Sequence, residues 1–218
     1  QKLAQLITRY SVNVQPGDRV VIRGGVAGEP LIKELYKAVL EAGAHPILWT
    51  EFAWEAEVLL GRGSEEQYTY IHKPIEVFYG QYDRLIRVLC EDNTKNLNGI
   101  DSDVYTRFTQ SRGPLMNTYM DRTARGELRW GLTLYPTNAY AQDADMSLDE
   151  YADFVYKACM PDMDDPVGYW RRVSERQERI VNWLKGKKNV HLIGKGTDLR
   201  LSIADRTFIN CDCRVNIP

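Results

Sequence analysis

A strand–helix–strand unit between Asp18 and Glu51 constrains this chain more than any other stretch. Arg19-Val20-Val21-Ile22-Arg23 reads as a short β-branched strand, entered through the turn signal Pro16-Gly17-Asp18. Gly24, Gly25 and Gly28 allow a tight reversal, and Pro30 stands where the first turn of a helix tolerates proline. Leu31, Leu35, Ala38 and Ala42 then recur at helical spacing, with Gly43 as the stop. His45-Pro46-Ile47-Leu48-Trp49-Thr50 supplies the second strand. A helical crossover joins parallel strands and is nearly always right-handed, so the following segments should extend a parallel sheet.

They read that way. Strands are expected near residues 19–23, 46–50, 85–90 and 130–135, with Pro136 closing the last. Between them lie helical stretches. Leu3, Leu6, Ile7 and Tyr10 give an amphipathic opening helix. Glu55 to Ile71 is interrupted at Gly61-Arg62-Gly63 and restarted by a capping box at Ser64 and Gln67. Asp101 to Gln110 and Pro114 to Glu127 are polar-faced helices, the second carrying Leu115, Tyr119 and Met120. A second capping box, Ser147 to Glu150, opens a helix with Leu148, Ala152, Val155 and Cys159 inward. Asp165-Pro166 starts another, with Trp170, Val173, Ile180 and Leu184 inward and Gly186 as its end.

After Gly186 the pattern becomes antiparallel. Val190 to Ile193 and Leu199 to Ile203 are strands with no helix between them, and Asp205-Arg206 turns the chain into Thr207-Phe208-Ile209. The fold class expected is therefore α/β: a parallel, Rossmann-like sheet flanked by helices, ending in a short antiparallel strand pair. Residues 1–188 make an N-terminal α/β domain, and residues 189–218 lead into a further domain. The apolar side chains Leu199, Leu201, Ile203 and Phe208 should then want a cover that this chain does not supply.

Net charge is −2 over 218 residues, which gives no electrostatic case for nucleic acid or an anionic membrane. No apolar run approaches the roughly 20 residues of a membrane span. The four cysteines are too few for a disulfide framework in so long a chain, and a reduced, cytoplasmic protein is expected. Cys211 and Cys213 should share one face of a strand.

No residue constellation specifies chemistry by itself. Arg23-Gly24-Gly25-Val26-Ala27-Gly28 keeps two glycines of a dinucleotide fingerprint, Gly25 and Gly28, but places Arg23 where the first should stand; Glu51 lies near the distance of a ribose-binding acid. Helix-on-sheet packing explains the same glycines. Glu91-Asp92-Asn93 sits at the C-terminal end of the third strand, where open parallel sheets bind ligands. His45, His72 and His191 are far apart, and Cys211-Asp212-Cys213 lacks the second ligand pair of a zinc site. Asp162, Asp164 and Asp165 lack the glycine and distal glutamate of a calcium loop. Cys90 and Cys159 fall on apolar faces, where thiols are structural.

Three longer stretches carry a resemblance. They are Pro16-Gly17-Asp18-Arg19-Val20 with Glu29-Pro30-Leu31; Arg122-Thr123-Ala124-Arg125-Gly126-Glu127-Leu128-Arg129-Trp130, continuing through Thr133 to Thr137 and Ala139 to Gln142; and Ser174 to Glu178 with Gly194 to Leu199. Together they resemble the N-terminal part of the thermophilic metalloaminopeptidases, the AmpS/AmpT-type leucyl aminopeptidases. The resemblance implies an exopeptidase using two divalent ions (cobalt, zinc or magnesium), one polarising the scissile carbonyl while the pair activates a bridging water. It also implies peptide substrates and a homodimer. The family's first metal-ligand segment opens with the pattern matched by Asn216-Ile217-Pro218, where this sequence stops. No catalytic, cofactor-binding or metal residue is therefore carried over. The expectation is a non-catalytic N-terminal fragment that alone binds no catalytic metal. Two alternatives stand beside it: a stand-alone binding module with Glu51 and Glu91 at the sheet edge, and a nucleotide-dependent enzyme built on Gly25 and Gly28.

Overall fold

The computed structural model describes residues 1–214. Strands β1 (Arg19–Gly25), β2 (His45–Glu51), β3 (Arg84–Leu89) and β4 (Arg129–Leu134) form one parallel sheet in the order β2-β1-β3-β4. Helix α2 (Glu29–Glu41) makes the first crossover and buries Leu31, Leu35, Ala38 and Val39. Gly43, at φ 75°, ends it in the left-handed region, and its carbonyl accepts from the amide of Gly17.

The sheet is packed on both faces. Val20 and Ile22 of β1 and Ile86 and Val88 of β3 meet α2, the opening helix α1 (Lys2–Leu6), and two later helices. Those later helices are α9 (Leu148–Cys159) and α10 (Pro166–Leu184). On the other face Val21 and Leu85 meet Tyr119, Leu128 and a ring of half-buried aromatics: Trp49, Phe78, Tyr79, Tyr82 and Trp130. These come from α5 (Lys73–Gln81), α7 (Gly113–Ala124) and the flanking strands. Each fully buried aliphatic side chain contributes about 1.5–3 kcal/mol of transfer free energy, so β1, buried on both faces, anchors the domain.

Helices α3 (Glu55–Arg62), α4 (Glu65–Thr69) and α6 (Ser102–Ser111) form a small cluster beside the sheet, and α8 (Asn138–Asp143) follows β4. Both capping boxes are made. The Ser64 amide donates to Gln67 Oε1 at 2.7 Å, and the Ser147 amide to Glu150 Oε2 at 3.1 Å.

Several expectations are corrected. The opening helix is a single α-helical turn that widens into a π-helical turn, Ile7–Ser11, and buries Thr8 and Ser11 beside the expected apolar residues. Helix α5 was not anticipated, although Pro74 at its start and Phe78 and Tyr79 facing the sheet mark it. In α7 Met120 is exposed while Arg122 is buried. Leu148 and Ile180, expected inward, are exposed.

Strands β5 (Asn189–Gly194) and β6 (Thr197–Ser202) pair antiparallel as a separate sheet, turned by Gly196 at φ 74°. Leu192, Ile193, Leu199 and Leu201 are exposed on it, whereas Ile203 and Phe208 are half-buried. Residues 207–209 form no strand, and Cys211 and Cys213 share no strand face: Cys211 is exposed and Cys213 is buried. Instead the chain returns to the first core. Tyr10 Oη donates to the carbonyls of Trp170 and Asp212 at 3.3 and 3.1 Å, and Cys213 Sγ lies 3.7 Å from Ser11 Oγ. The widened turn after α1 is what receives this returning segment.

Candidate functional site

The loops after β1, β2, β3 and β4 gather at the C-terminal edge of the sheet. Because β2 lies on one side of β1 and β3 on the other, the chain's direction of winding reverses between β1 and β3. Such a switch point is where open α/β sheets bind ligands.

Here that crevice holds a thiol. Cys90, immediately after β3, turns its Sγ into the β1–α2 loop, where the Gly25 amide donates to it at 3.2 Å. Burial raises the Cys90 thiol pKa, against the lowering effect of the Gly25 and Gly28 amides. A Cβ at Gly28 would stand 2.9 Å from Cys90 Sγ, and one at Gly25 3.2 Å from it. The two glycines therefore make room for Cys90. Gly28→Ala is expected to cost about 1–3 kcal/mol by overpacking. In a Cys90→Ala background most of that penalty should disappear, a non-additivity readable in a urea-unfolding double-mutant cycle. Equal penalties in both backgrounds would show that the thiol is not what the glycine accommodates.

Glu51 is also taken. Arg23, the residue in place of the fingerprint's first glycine, donates its Nε to Glu51 Oε1 at 2.9 Å and a second nitrogen to the same oxygen. Its Nη1 donates to Tyr79 Oη at 3.2 Å, and the guanidinium lies 4.2 Å from the Trp49 ring centroid. The ribose-binding acid of the dinucleotide reading is thus half of an ion pair that binds β2 to β1.

The third strand end is used for tethering. Thr137 Oγ1 donates to the Glu91 carbonyl at 2.6 Å, and Thr94 and Lys95 bind the Asp143 carboxylate at 2.6 and 3.2 Å. Those two donors, the Thr94 hydroxyl first, hold the Asp143 carboxyl below its ordinary pKa. Asn96 ties the same loop to Ala53, after β2. The Glu91 and Asp92 side chains are exposed above this frame.

The remaining candidates are dispersed. His45 opens β2 at the opposite end of the sheet, His72 precedes α5 against Tyr70, and His191 Nε2 lies 2.7 Å from Asp198 Oδ1 in the separate hairpin. Asp162 accepts from the amides of Asp164 and Asp165, and Asp165 from that of Gly168, so this acidic group starts α10. Cys159 is buried, and burial pushes its thiol up to about 11. Among the described residues no three His, Cys, Asp or Glu side chains come together as a metal site.

A cleft of about 650 Å³ opens beside the start of α2, lined by Leu3, Leu31, Tyr135, Tyr156, Met160 and Met163 among others. Its charged rim is self-paired, Glu34 to Lys37 at 2.6 Å and Asp153 to Lys157 at 3.0 Å. It offers shape without a nucleophile or base. No helix among the described residues is long and apolar enough to cross a membrane.

Comparison with known proteins supplies what the site does not. The family model described as thermophilic metalloprotease (M29) matches residues 1–218. Aminopeptidase 2 of Geobacillus stearothermophilus is 25% identical over 215 residues, covering 88% of this chain and 49% of that protein. The chain thus spans about half the length of this curated relative. The solved structure of wild-type AmpT from Thermus thermophilus superposes with a TM-score of 0.77 at 17% identity, over 100% of this chain and 58% of that one. At that identity the likeness is one of fold. The metal implied by the family description does not fit the residues described here, among which no three His, Cys, Asp or Glu side chains are placed to hold an ion.

Proposed function

From the premise that this chain belongs to the thermophilic metalloprotease family M29, we propose that it is the non-catalytic N-terminal α/β domain of a metal-dependent aminopeptidase. One observation carries the reading: the family model matches residues 1–218, yet the chain covers only 49% of an aminopeptidase relative. The potential metal ligands of the described residues are scattered, which supports placing the metal chemistry in residues other than these. In this reading the domain contributes a rigid scaffold. Its sheet edge, tied by Thr137, Thr94 and Asn96, forms one wall of the substrate's approach. The exposed leucines of β5 and β6 pack against the catalytic half.

The test is an assay on leucyl-p-nitroanilide with added cobalt, zinc or magnesium. The 218-residue chain is run beside a version extended through the second half. Turnover by the extended protein alone is expected. Metal-dependent turnover by the shorter chain, surviving repurification, would sink the proposal and return attention to Glu91 and Asp92. The nucleotide-binding alternative predicts saturable binding of a nicotinamide or flavin cofactor. With Cys90 in the crevice and Glu51 paired to Arg23, no such binding is expected.

A further inference from the structure

We propose that Arg87 anchors a carboxylate-binding site at the switch point of the sheet, taking a singly charged carboxylate: the free carboxyl end of a short peptide or a small organic acid. Register sets four side chains in one row across the sheet, Trp49, Arg23, Arg87 and Leu132. In-register neighbours share a face, and alternation from Val21 and Leu85 places the row on the aromatic face. Arg23 and Arg87 thus stand side by side on β1 and β3, the two strands between which the winding reverses. Open α/β sheets bind ligands at the C-terminal edge of such a pair.

Like charges on neighbouring strands repel, and a charge taken out of water needs a partner. Arg23 has its partners. Its guanidinium lies over Trp49 and binds Glu51, toward β2 and so away from Arg87. Arg87 is not answered in this way. The residue is half-buried, its Nε is shut off from solvent without a hydrogen-bond partner, and its guanidinium enters no ion pair among the described residues. Arg84 on the same strand also has an unpartnered Nε, but its terminal nitrogens bind the carbonyls of Asp83 and Asn13 and the carboxylate of Asp18.

The charge count selects the ligand. Two guanidinium groups stand against one carboxylate, that of Glu51, so a single negative charge completes the row. A carboxylate brings that charge, and its two oxygens match the fork of an arginine. Phosphate matches the fork but brings more charge than the row lacks. The Tyr79 hydroxyl accepts from Arg23 and keeps its own proton to donate at this site. Naming a peptide as the source rests on the aminopeptidase reading, whereas the carboxylate site itself does not. Leucyl-p-nitroanilide carries no carboxylate, so the assay of that reading and the test of this one fail separately.

The test is urea unfolding of the 218-residue chain at constant ionic strength, with chloride exchanged for acetate or phosphate, or with glycyl-leucine or its uncharged-end analogue glycyl-leucinamide added. Acetate should raise the midpoint and saturate, because a ligand that binds only the folded chain stabilises it by mass action. The amide should do nothing. Glycyl-leucine binding at least as tightly as acetate assigns the site to peptide ends, and acetate binding alone assigns it to small acids. Arg87→Met should abolish the shift without lowering the midpoint in chloride, since no described acceptor loses its donor. Arg87→Lys keeps the charge but not the fork, and should raise the acetate dissociation constant about tenfold. No saturation by either carboxylate, a shift that survives Arg87→Met or appears with the amide, or phosphate binding tighter than acetate would each overturn the proposal. So would a lower midpoint for Arg87→Met in chloride, the mark of a structural partner. Loss of acetate binding in the version extended through the second half would likewise overturn it, by giving Arg87 to that half.

Discussion

Replacing Arg122 with methionine is expected to cost about 2–4 kcal/mol of stability, because part-buried carbonyls that lose a donor cost roughly 1–3 kcal/mol apiece. Arg122 is only 9% exposed although it carries a permanent charge. Its Nη1 donates to the carbonyls of Tyr79 and Tyr82 at 2.8 and 2.9 Å, and its Nη2 to that of Glu127 at 3.4 Å. Tyr79 and Tyr82 flank the C-terminus of α5, where a helix leaves carbonyls without intrahelical donors. Glu127 also brings Oε2 within 3.5 Å of Nε, so the charge is balanced as it is buried. One guanidinium thus caps α5 and fixes the turn from α7 into β4. Arg122→Lys should recover only part of the loss, since an ammonium cannot reach that fan of acceptors in one plane. Urea unfolding of the three proteins decides it. Full rescue by lysine, or a cost within about 0.5 kcal/mol for methionine, would show an ordinary surface residue. Arg122 opens the longest stretch that carries the family resemblance, so part of that motif is structural.

Above about pH 9 the protein is expected to lose stability steeply, through two buried thiols. Burial is the main cause for both: it pushes Cys159 up to about 11 and Cys213 up to about 12, with Ser11 partly opposing the latter. An unfolded thiol ionises near about 8.5. Below that value both thiols are neutral folded or unfolded, and their contribution is fully present. As pH rises, only the unfolded chain gains thiolate, so the contribution is lost until the folded thiols themselves ionise. The slope is about 1.4 kcal/mol per pH unit for each thiol, or roughly 5 kcal/mol for the pair between about pH 9 and 11. That approaches the whole stability of an ordinary domain. The direction matches the geometry. Cys213 is 3% exposed in the segment that returns to the π-helical turn, and Cys159 is buried at the end of α9 beneath it. Thermal melts across this range, compared with a Cys159→Ala, Cys213→Ala variant, separate the causes. The variant should melt lower at pH 7 because of the cavities but show a much flatter alkaline slope. Parallel slopes would assign the alkaline loss to other groups, of which Tyr119, also raised by burial, is the first to examine.

The elements were legible in the sequence because each depends on residues a few positions apart. Ser64 with Gln67 and Ser147 with Glu150 had to form capping boxes if helices began there, since the reach of a side chain to the third amide is fixed by helix geometry. The parallel pairing of β1 and β2 followed from one crossover helix between two β-branched runs. The family followed from long stretches such as Arg122 to Trp130, whose identity survives without any knowledge of contacts. What the loop after β1 does was decided only by the fold. Gly28 and Cys90 stand far apart in the chain, and which side chain entered the crevice depended on the register between β1 and β3. Arg23 and Glu51 answered each other for the same reason, across β1 and β2. Periodicity placed Met120 inward, but the space beneath α7 ended at three carbonyls, and the guanidinium of Arg122 satisfied them where a thioether could not. Ile180 kept the helical spacing of Trp170 and Val173 yet is exposed, so its pattern was right and its burial was not. Spacing along a chain records backbone geometry, which is local; burial records what another segment brings to the same place, and that is settled only when the segments meet.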